Sequence, residues 1–259
     1  MRAAIALALL ALTACETREV DAEGNTVEVA QRTSACRAEM FEDSPLTHCT
    51  ADPALHSIRT ALSGADGRPA RTFAALDLPD PGRVAFAMNA GMYDGEGEPI
   101  GYYVEDGERL EPLNQADGPG NFHLLPNGVF FGDADGNWRV LDTQRFADEV
   151  EERPDFGTQS GPMLVIRGEL HEAFDADGQS RKIRNGVGVD PAGRAHFVIS
   201  EAPVSFGRFA RYFRDVLKVD NALFLDGSVS QLWDPARGRR DAGPLLGPMI
   251  VVETKEDAR

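Results

Sequence analysis

From Cys36 onward, short runs that alternate apolar and polar residues are separated by turns bearing Gly or Asp, a period-two pattern that predicts successive β-hairpins. Four hairpins read directly from it. Residues 101–105 turn at Asp106-Gly107 into 108–113, and 128–132 turn through Asp133-Ala134-Asp135-Gly136 into 137–141. Residues 163–166 turn at Arg167-Gly168 into 169–172, and 186–189 turn through Asp190-Pro191-Ala192-Gly193 into 194–200. One segment has helical spacing instead: Phe206, Phe209, Ala210, Phe213, Val216 and Leu217 recur at three- and four-residue intervals, with Arg208, Arg211, Arg214 and Asp215 on the other faces and Ser205 as N-cap. It feeds an apolar run at 222–225 that reads as a buried strand, and a shorter helix is expected over 71–76. Neither an internal repeat nor a strong composition break divides this part. The expectation is an α+β fold, a single β-rich domain of successive hairpins with a few flanking helices.

The N-terminus follows another pattern. Arg2 precedes an apolar run over 3–12 that ends Leu12-Thr13-Ala14-Cys15. A bilayer span needs about 20 apolar residues, so this run reads as a secretory signal. Its last four residues resemble a bacterial lipobox, in which cleavage leaves the cysteine acylated at the mature terminus; the alternative is an ordinary signal peptide cut at or near Ala14, leaving Cys15 free. The organisation expected is a signal peptide over 1–14, a lipid-anchored tether over 15–35 with one short strand at 26–29, a folded domain over 36–252 and a charged tail over 253–259. The location expected is the bacterial cell envelope, on its periplasmic or extracytoplasmic face. In an exported chain, Cys36 and Cys49 are expected to form a disulfide, and closing that short loop stabilises by about 3 kcal/mol. A metal site is the other reading of these cysteines, but His48 and His56 do not complete a recognised zinc spacing.

Composition narrows the function. The net charge is −16, with no basic cluster longer than Arg239-Arg240. That excludes nucleic acid or an anionic membrane as a partner bound through a basic face, and leaves the lipid anchor at Cys15 as the membrane contact. No G-x-S-x-G elbow, dinucleotide fingerprint or P-loop is present, and the D-x-D-G stretches at 133–136 and 175–178 lack the closing Glu of a calcium loop. No cofactor or metal is called for.

Two apolar runs end in polar residues beside glycine: 84–88 runs into Asn89-Ala90-Gly91-Met92-Tyr93, and 222–225 runs into Asp226-Gly227-Ser228-Val229-Ser230. A buried strand delivering a carboxylate to its end holds that group rigidly, and the adjacent glycine lets another molecule approach. Either run alone reads equally well as a strand exit in which Asn or Asp caps backbone N–H groups.

Together with Pro99-Ile100-Gly101, Gln159-Ser160-Gly161-Pro162-Met163-Leu164 and Arg184-Asn185-Gly186-Val187-Gly188, taken in order, these motifs resemble the phosphodiester glycosidase family over about residues 36–252. The resemblance implies hydrolysis of a sugar-1-phosphodiester. One departure stands out: where the wider family reads Asp-Gly-Gly-Gly-Ser, Val229 adds bulk, which bears on pocket shape and on activity. Because the leaving group in such a reaction is already a stable phosphate monoester, a single carboxylate and a phosphate-holding cation can suffice. Asp226 is the candidate carboxylate, as base or nucleophile. Arg184 is the candidate cation, since a guanidinium binds phosphate through two parallel hydrogen bonds. Asn89 can donate and accept at once toward a sugar or a developing charge. Gly91, Gln159, Ser160, Gly227, Ser228 and Ser230 are expected to bind substrate, with His123 as a proton shuttle and Glu201 as a second carboxylate. The partner is accordingly a carbohydrate or sugar phosphate. A glycan-binding envelope lipoprotein of the same fold, without turnover, is the reading from a different functional class.

Overall fold

The four expected hairpins are present in the computed structural model of the protein, which describes residues 18–20, 26–28, 33–226 and 229–256. Cys15, Gly227, Ser228 and the expected signal segment lie outside the described residues. Residues 1–33 form one unit, in which β1 (Arg18–Val20) pairs antiparallel with β2 (Thr26–Glu28), at the place where a short strand was expected. The second unit begins at Ser34.

Its strands are, in order, β3 (Cys36–Phe41), β4 (Ser44–Ala51), β5 (His56–Ala61), β6 (Val84–Asn89), β7 (Tyr103–Glu105), β8 (Glu108–Glu111), β9 (Gly128–Gly132), β10 (Arg139–Asp142) and β11 (Phe156–Ser160). There follow β12 (Met163–Ile166), β13 (Glu169–Leu170), β14 (Asn185–Val189), β15 (Ala195–Ser200), β16 (Ala222–Phe224), β17 (Leu232–Asp234), β18 (Arg239–Arg240) and β19 (Met249–Thr254). They make three antiparallel sheets, ordered β10-β9-β11-β7-β8, β13-β12-β16-β14-β15-β4-β3 and β18-β17-β6-β19-β5. Among the described residues two α-helices flank them, α1 (Thr143–Glu149) and α2 (Phe206–Arg211).

Alternation explains how the sheets close on one another. In β16, Leu223 and the following Leu225 join the central apolar cluster with Phe86, Met88, Phe130, Phe197 and Ile250, one or more from each sheet. Ala222 and Phe224 point the other way, into the cluster beneath α2. Burying each of the larger side chains contributes roughly 1.5 to 3 kcal/mol. The helix forms as its pattern predicts: Ser205 Oγ accepts from Arg208 N, Phe209 packs inward, and the chain continues through a π-helical turn (Tyr212–Val216). The helix expected over 71–76 is only a 3₁₀ turn (Phe73–Ala75), because no capping side chain satisfies its first N–H groups. Cys36 and Cys49 stand directly opposite each other on β3 and β4 and are disulfide-bonded.

Candidate active site

Asp226 leaves the sheet where β16 ends. Its position is set one residue earlier: Leu225 N donates to Asn185 O (3.2 Å), and Leu225 O accepts from Ser160 Oγ (2.5 Å). Two neighbouring strands thus clamp the residue before the carboxylate. On the far side of the loop, Asn89 at the end of β6 donates through Nδ2 to Val229 O (2.6 Å) and accepts through Oδ1 from Gln231 N (2.8 Å) and Asn185 Nδ2 (3.0 Å). Ser230 Oγ donates to Asn185 Oδ1 (3.2 Å). The loop that carries Asp226 is therefore pinned on both flanks by buried asparagines.

In front of this framework lies a cleft of about 360 Å³ lined by Met92, Tyr93, Ile100, Pro119, Gly120, Asn121, Phe122, His123, Asp226 and Val229. Its wall holds a carboxylate, an amide, an imidazole and two aromatic rings, a mixture suited to a polar ligand with apolar ring faces. The His123 imidazole bonds through Nδ1 to Ala116 O (2.8 Å). A carbonyl can only accept, so the proton sits on Nδ1 and Nε2 carries the lone pair in the neutral ring. Tyr93 donates to Leu245 O (2.5 Å), and its pKa is pushed up to about 12, first by burial and then by the nearby charge of Asp226. The phenol thus stays protonated beside the carboxylate.

Several expected site residues have other duties. Arg184 does not face the cleft: it is 1% exposed, donates through Nε to Val204 O (2.9 Å) and through Nη2 to Ser180 O (2.9 Å), and lies 3.5 Å from the Phe206 ring centroid. Burial lowers its pKa to about 10. The cause is strand alternation: Asn185 points to Asn89, so Arg184 points to the α2 side. Gln159 is saturated, its Oε1 accepting from Tyr102 N and Asn114 N and its Nε2 donating to Asn114 O and Thr143 Oγ1, which leaves nothing for a sugar. Ser160 is fully buried and serves the Leu225 carbonyl. Gly91 is a packing residue, since a Cβ there would stand 2.2 Å from Gln159 O. Glu201 is taken up by Arg239 (2.6 Å) and Thr47 (2.6 Å). Asn89 and Ser230 hold the loop rather than face the cleft, whereas His123 and Asp226 do line it. Gly227 and Ser228 lie outside the described residues.

Asn185 and Tyr93 also belong to the site, and each adjoins or closes a motif that the sequence displays. Residue choice by charge favoured Arg184, where residue choice by face would have favoured its neighbour. Val229 is absorbed in part by the cluster of Phe73, Trp233, Leu246 and Met249, while still lining the cleft.

The sequence profile of the phosphodiester glycosidase family matches residues 82–238, which include Asn89, Asn185 and Asp226. The uncharacterized protein YigE of Escherichia coli (strain K12) is 37% identical over 188 residues, 71% of this chain and 72% of that protein. Among solved structures, the catalytic domain of zebrafish N-acetylglucosamine-1-phosphodiester alpha-N-acetylglucosaminidase, auto-inhibited by its pro-peptide, is similar with a TM-score of 0.56 at 15% identity, covering 93% of this chain and 82% of that one. A hypothetical protein from Synechocystis is similar with a TM-score of 0.57 at 15% identity, covering 85% of this chain and 61% of that one. At these identities the structural likenesses establish the fold.

Proposed function

The chain belongs to the phosphodiester glycosidase family, and on that premise we propose that it is a hydrolase cleaving the glycosidic bond of a sugar-1-phosphodiester in envelope or extracellular glycan. The observation that carries this reading is Asp226, held at a strand end by two clamped flanks and, among the described residues, the sole carboxylate lining the cleft. Hydrolysis joins a water oxygen to the anomeric carbon and breaks the bond from that carbon to the phosphate oxygen. The phosphate monoester leaves with the bonding pair, and the carboxylate takes the proton of water or attacks first as nucleophile. Since that leaving group is stable without protonation, a lone carboxylate is enough. His123 Nε2 is available as a second proton acceptor, and the Phe122 and Tyr93 rings offer faces to a sugar. The segment ending Leu12-Thr13-Ala14-Cys15 supports export and a lipid anchor at Cys15, which would hold the enzyme at the cell envelope.

The test is turnover of a panel of sugar-1-(4-nitrophenyl phosphate) diesters, followed by release of free sugar and 4-nitrophenyl phosphate. Asp226→Asn should lower kcat by at least about 100-fold with the fold intact. Undiminished turnover in that variant would remove Asp226 from the mechanism. A protein that binds glycan yet turns over no member of the panel would instead be a binding protein of the same fold.

A further inference from the structure

Among the described residues, no carboxylate forms an ion pair with the Arg71 guanidinium. Arg71 lies in the connection between β5 and β6, with a left-handed backbone (φ 60°) and its carbonyl accepting from Leu246 N (2.8 Å). The turn over residues 94–98 closes over the side chain, so tightly that a Cβ at Gly97 would stand 1.8 Å from Nη1. Nε and Nη1 are buried and, among the described residues, have no hydrogen-bond partner. The residue as a whole nevertheless keeps partial exposure.

Several other arginines of this chain pair with carboxylates. Arg239 sits between Glu201 and Asp241, Arg211 on Glu42 and Arg194 on Asp190. What Arg71 has is the Tyr93 ring, 5.4 Å from its central carbon, and Tyr93 lines the cleft together with Asp226. Tyr93 therefore neighbours a cation on one hand and shares the cleft wall with the carboxylate on the other.

Resting on the glycosidase reading above, we propose that Arg71 is the phosphate anchor of this cleft: it binds a phosphoryl oxygen of the substrate at one end of Tyr93 while Asp226 acts at the anomeric carbon at the other. The role expected of Arg184 thereby passes to a residue on another segment. A guanidinium suits it because its charge cannot be lost and its donors match phosphate oxygens. An anion at the guanidinium supplies the opposite charge that no described residue brings to it as an ion pair, and it does so only when the linkage contains phosphate. Arg71 is thus a specificity residue, selecting phosphodiesters over neutral glycosides of the same sugar.

The experiment compares Arg71→Gln and Arg71→Lys with the parent on a sugar-1-(4-nitrophenyl phosphate) and on the 4-nitrophenyl glycoside of the same sugar, with folding checked by thermal unfolding. In Arg71→Gln, KM for the phosphodiester should rise about tenfold or more, the scale of one lost charge-assisted hydrogen bond, while turnover of the neutral glycoside is unchanged. Arg71→Lys should recover part of the loss. An unchanged KM, or an equal loss on both substrates, overturns the proposal. Inorganic phosphate titrated against each protein by calorimetry separates the two readings. If the parent hydrolyses nothing, the glycosidase reading fails, yet phosphate binding weakened about tenfold in Arg71→Gln still supports the anchor. Equal binding by parent and variant, or no binding by either, overturns it.

Discussion

Asn89 devotes its amide to backbone rather than to solvent: one N–H to Val229 O, and the oxygen to Gln231 N and Asn185 Nδ2. Asn89→Asp keeps the shape and the acceptors but loses the donor, setting a carboxylate against the Val229 carbonyl. Leaving a buried acceptor unpaired costs about 1 to 3 kcal/mol. The unfolding midpoint should fall accordingly, and kcat should drop about tenfold or more as the Asp226 loop loosens, with KM less affected. An unchanged midpoint would mean that Asn89 does not hold the loop. At this scale the sequence is legible for residue type and ambiguous for residue duty. Asn, Gln and Ser beside glycine were recognisable as belonging near the site. Whether each faces a ligand or a carbonyl depends on strands distant in the chain, such as Leu225 for Ser160 and Asn114 for Gln159. Arg184 shows the same limit, because two of its partners, Val204 and Phe206, come from the start of α2 and the segment before it, about 20 residues on.

Between elements, β4, β14 and β15 share a buried polar chain. Asp190 Oδ2 accepts from His196 Nε2 (3.0 Å), whose Nδ1 then accepts from His48 Nε2 (2.9 Å). The order of tautomers runs outward from the carboxylate. Burial first, then the neighbouring charges of His196, Arg37 and Arg194, lowers the His48 pKa to about 3, and burial lowers that of His196 as well, against the pull of Asp190. A histidine whose folded pKa lies below its unfolded value near 6.5 binds more protons when unfolded. Stability is then lost as pH falls from about 6.5 toward 3. Asp190, held down to about 2 by His196 and Arg194 against the cost of burial, withdraws its own contribution only below about pH 4. Thermal unfolding at pH 7 and pH 4.5 should therefore show a lower midpoint in acid, and His48→Leu should reduce the difference. An equal difference in both proteins would place the acid sensitivity elsewhere. The elements themselves were legible wherever a turn needed glycine: Gly107 and Gly168 take positive φ in two of the expected hairpins. The β3–β4 hairpin escaped notice because Glu42 and Asp43 adopt φ of 44° and 58° without any glycine to signal it. Pairing of β5 with β19 joins opposite ends of the domain, and no local pattern encodes that register.

For the molecule as a whole, the edge of the seven-stranded sheet is closed covalently. β3 is the last strand of that sheet, bonded through backbone only to β4, and its outward residues Arg37, Ala38 and Met40 are exposed or nearly so. Such an edge frays first, because few apolar contacts hold it. The Cys36–Cys49 bond, 13 residues apart in sequence, ties the edge to β4, and both sulfur-bearing residues are buried in the central cluster with Phe86, Phe130 and Phe197. Covalent closure restricts the unfolded chain, while the buried cysteines pack as apolar groups in the folded one. Replacing both with alanine should cost about 3 kcal/mol, lower the unfolding midpoint and raise hydrogen exchange at β3 amides ahead of the rest of the sheet. The cleft stands at the other strands of the molecule, where Asp226 is held by Ser160, Asn185 and Asn89. Turnover at a temperature well below the new midpoint should consequently be unaltered. Loss of activity in step with exchange at β3 would instead mean that the edge and the cleft unfold as one unit, and that the disulfide supports the active geometry as well as the fold.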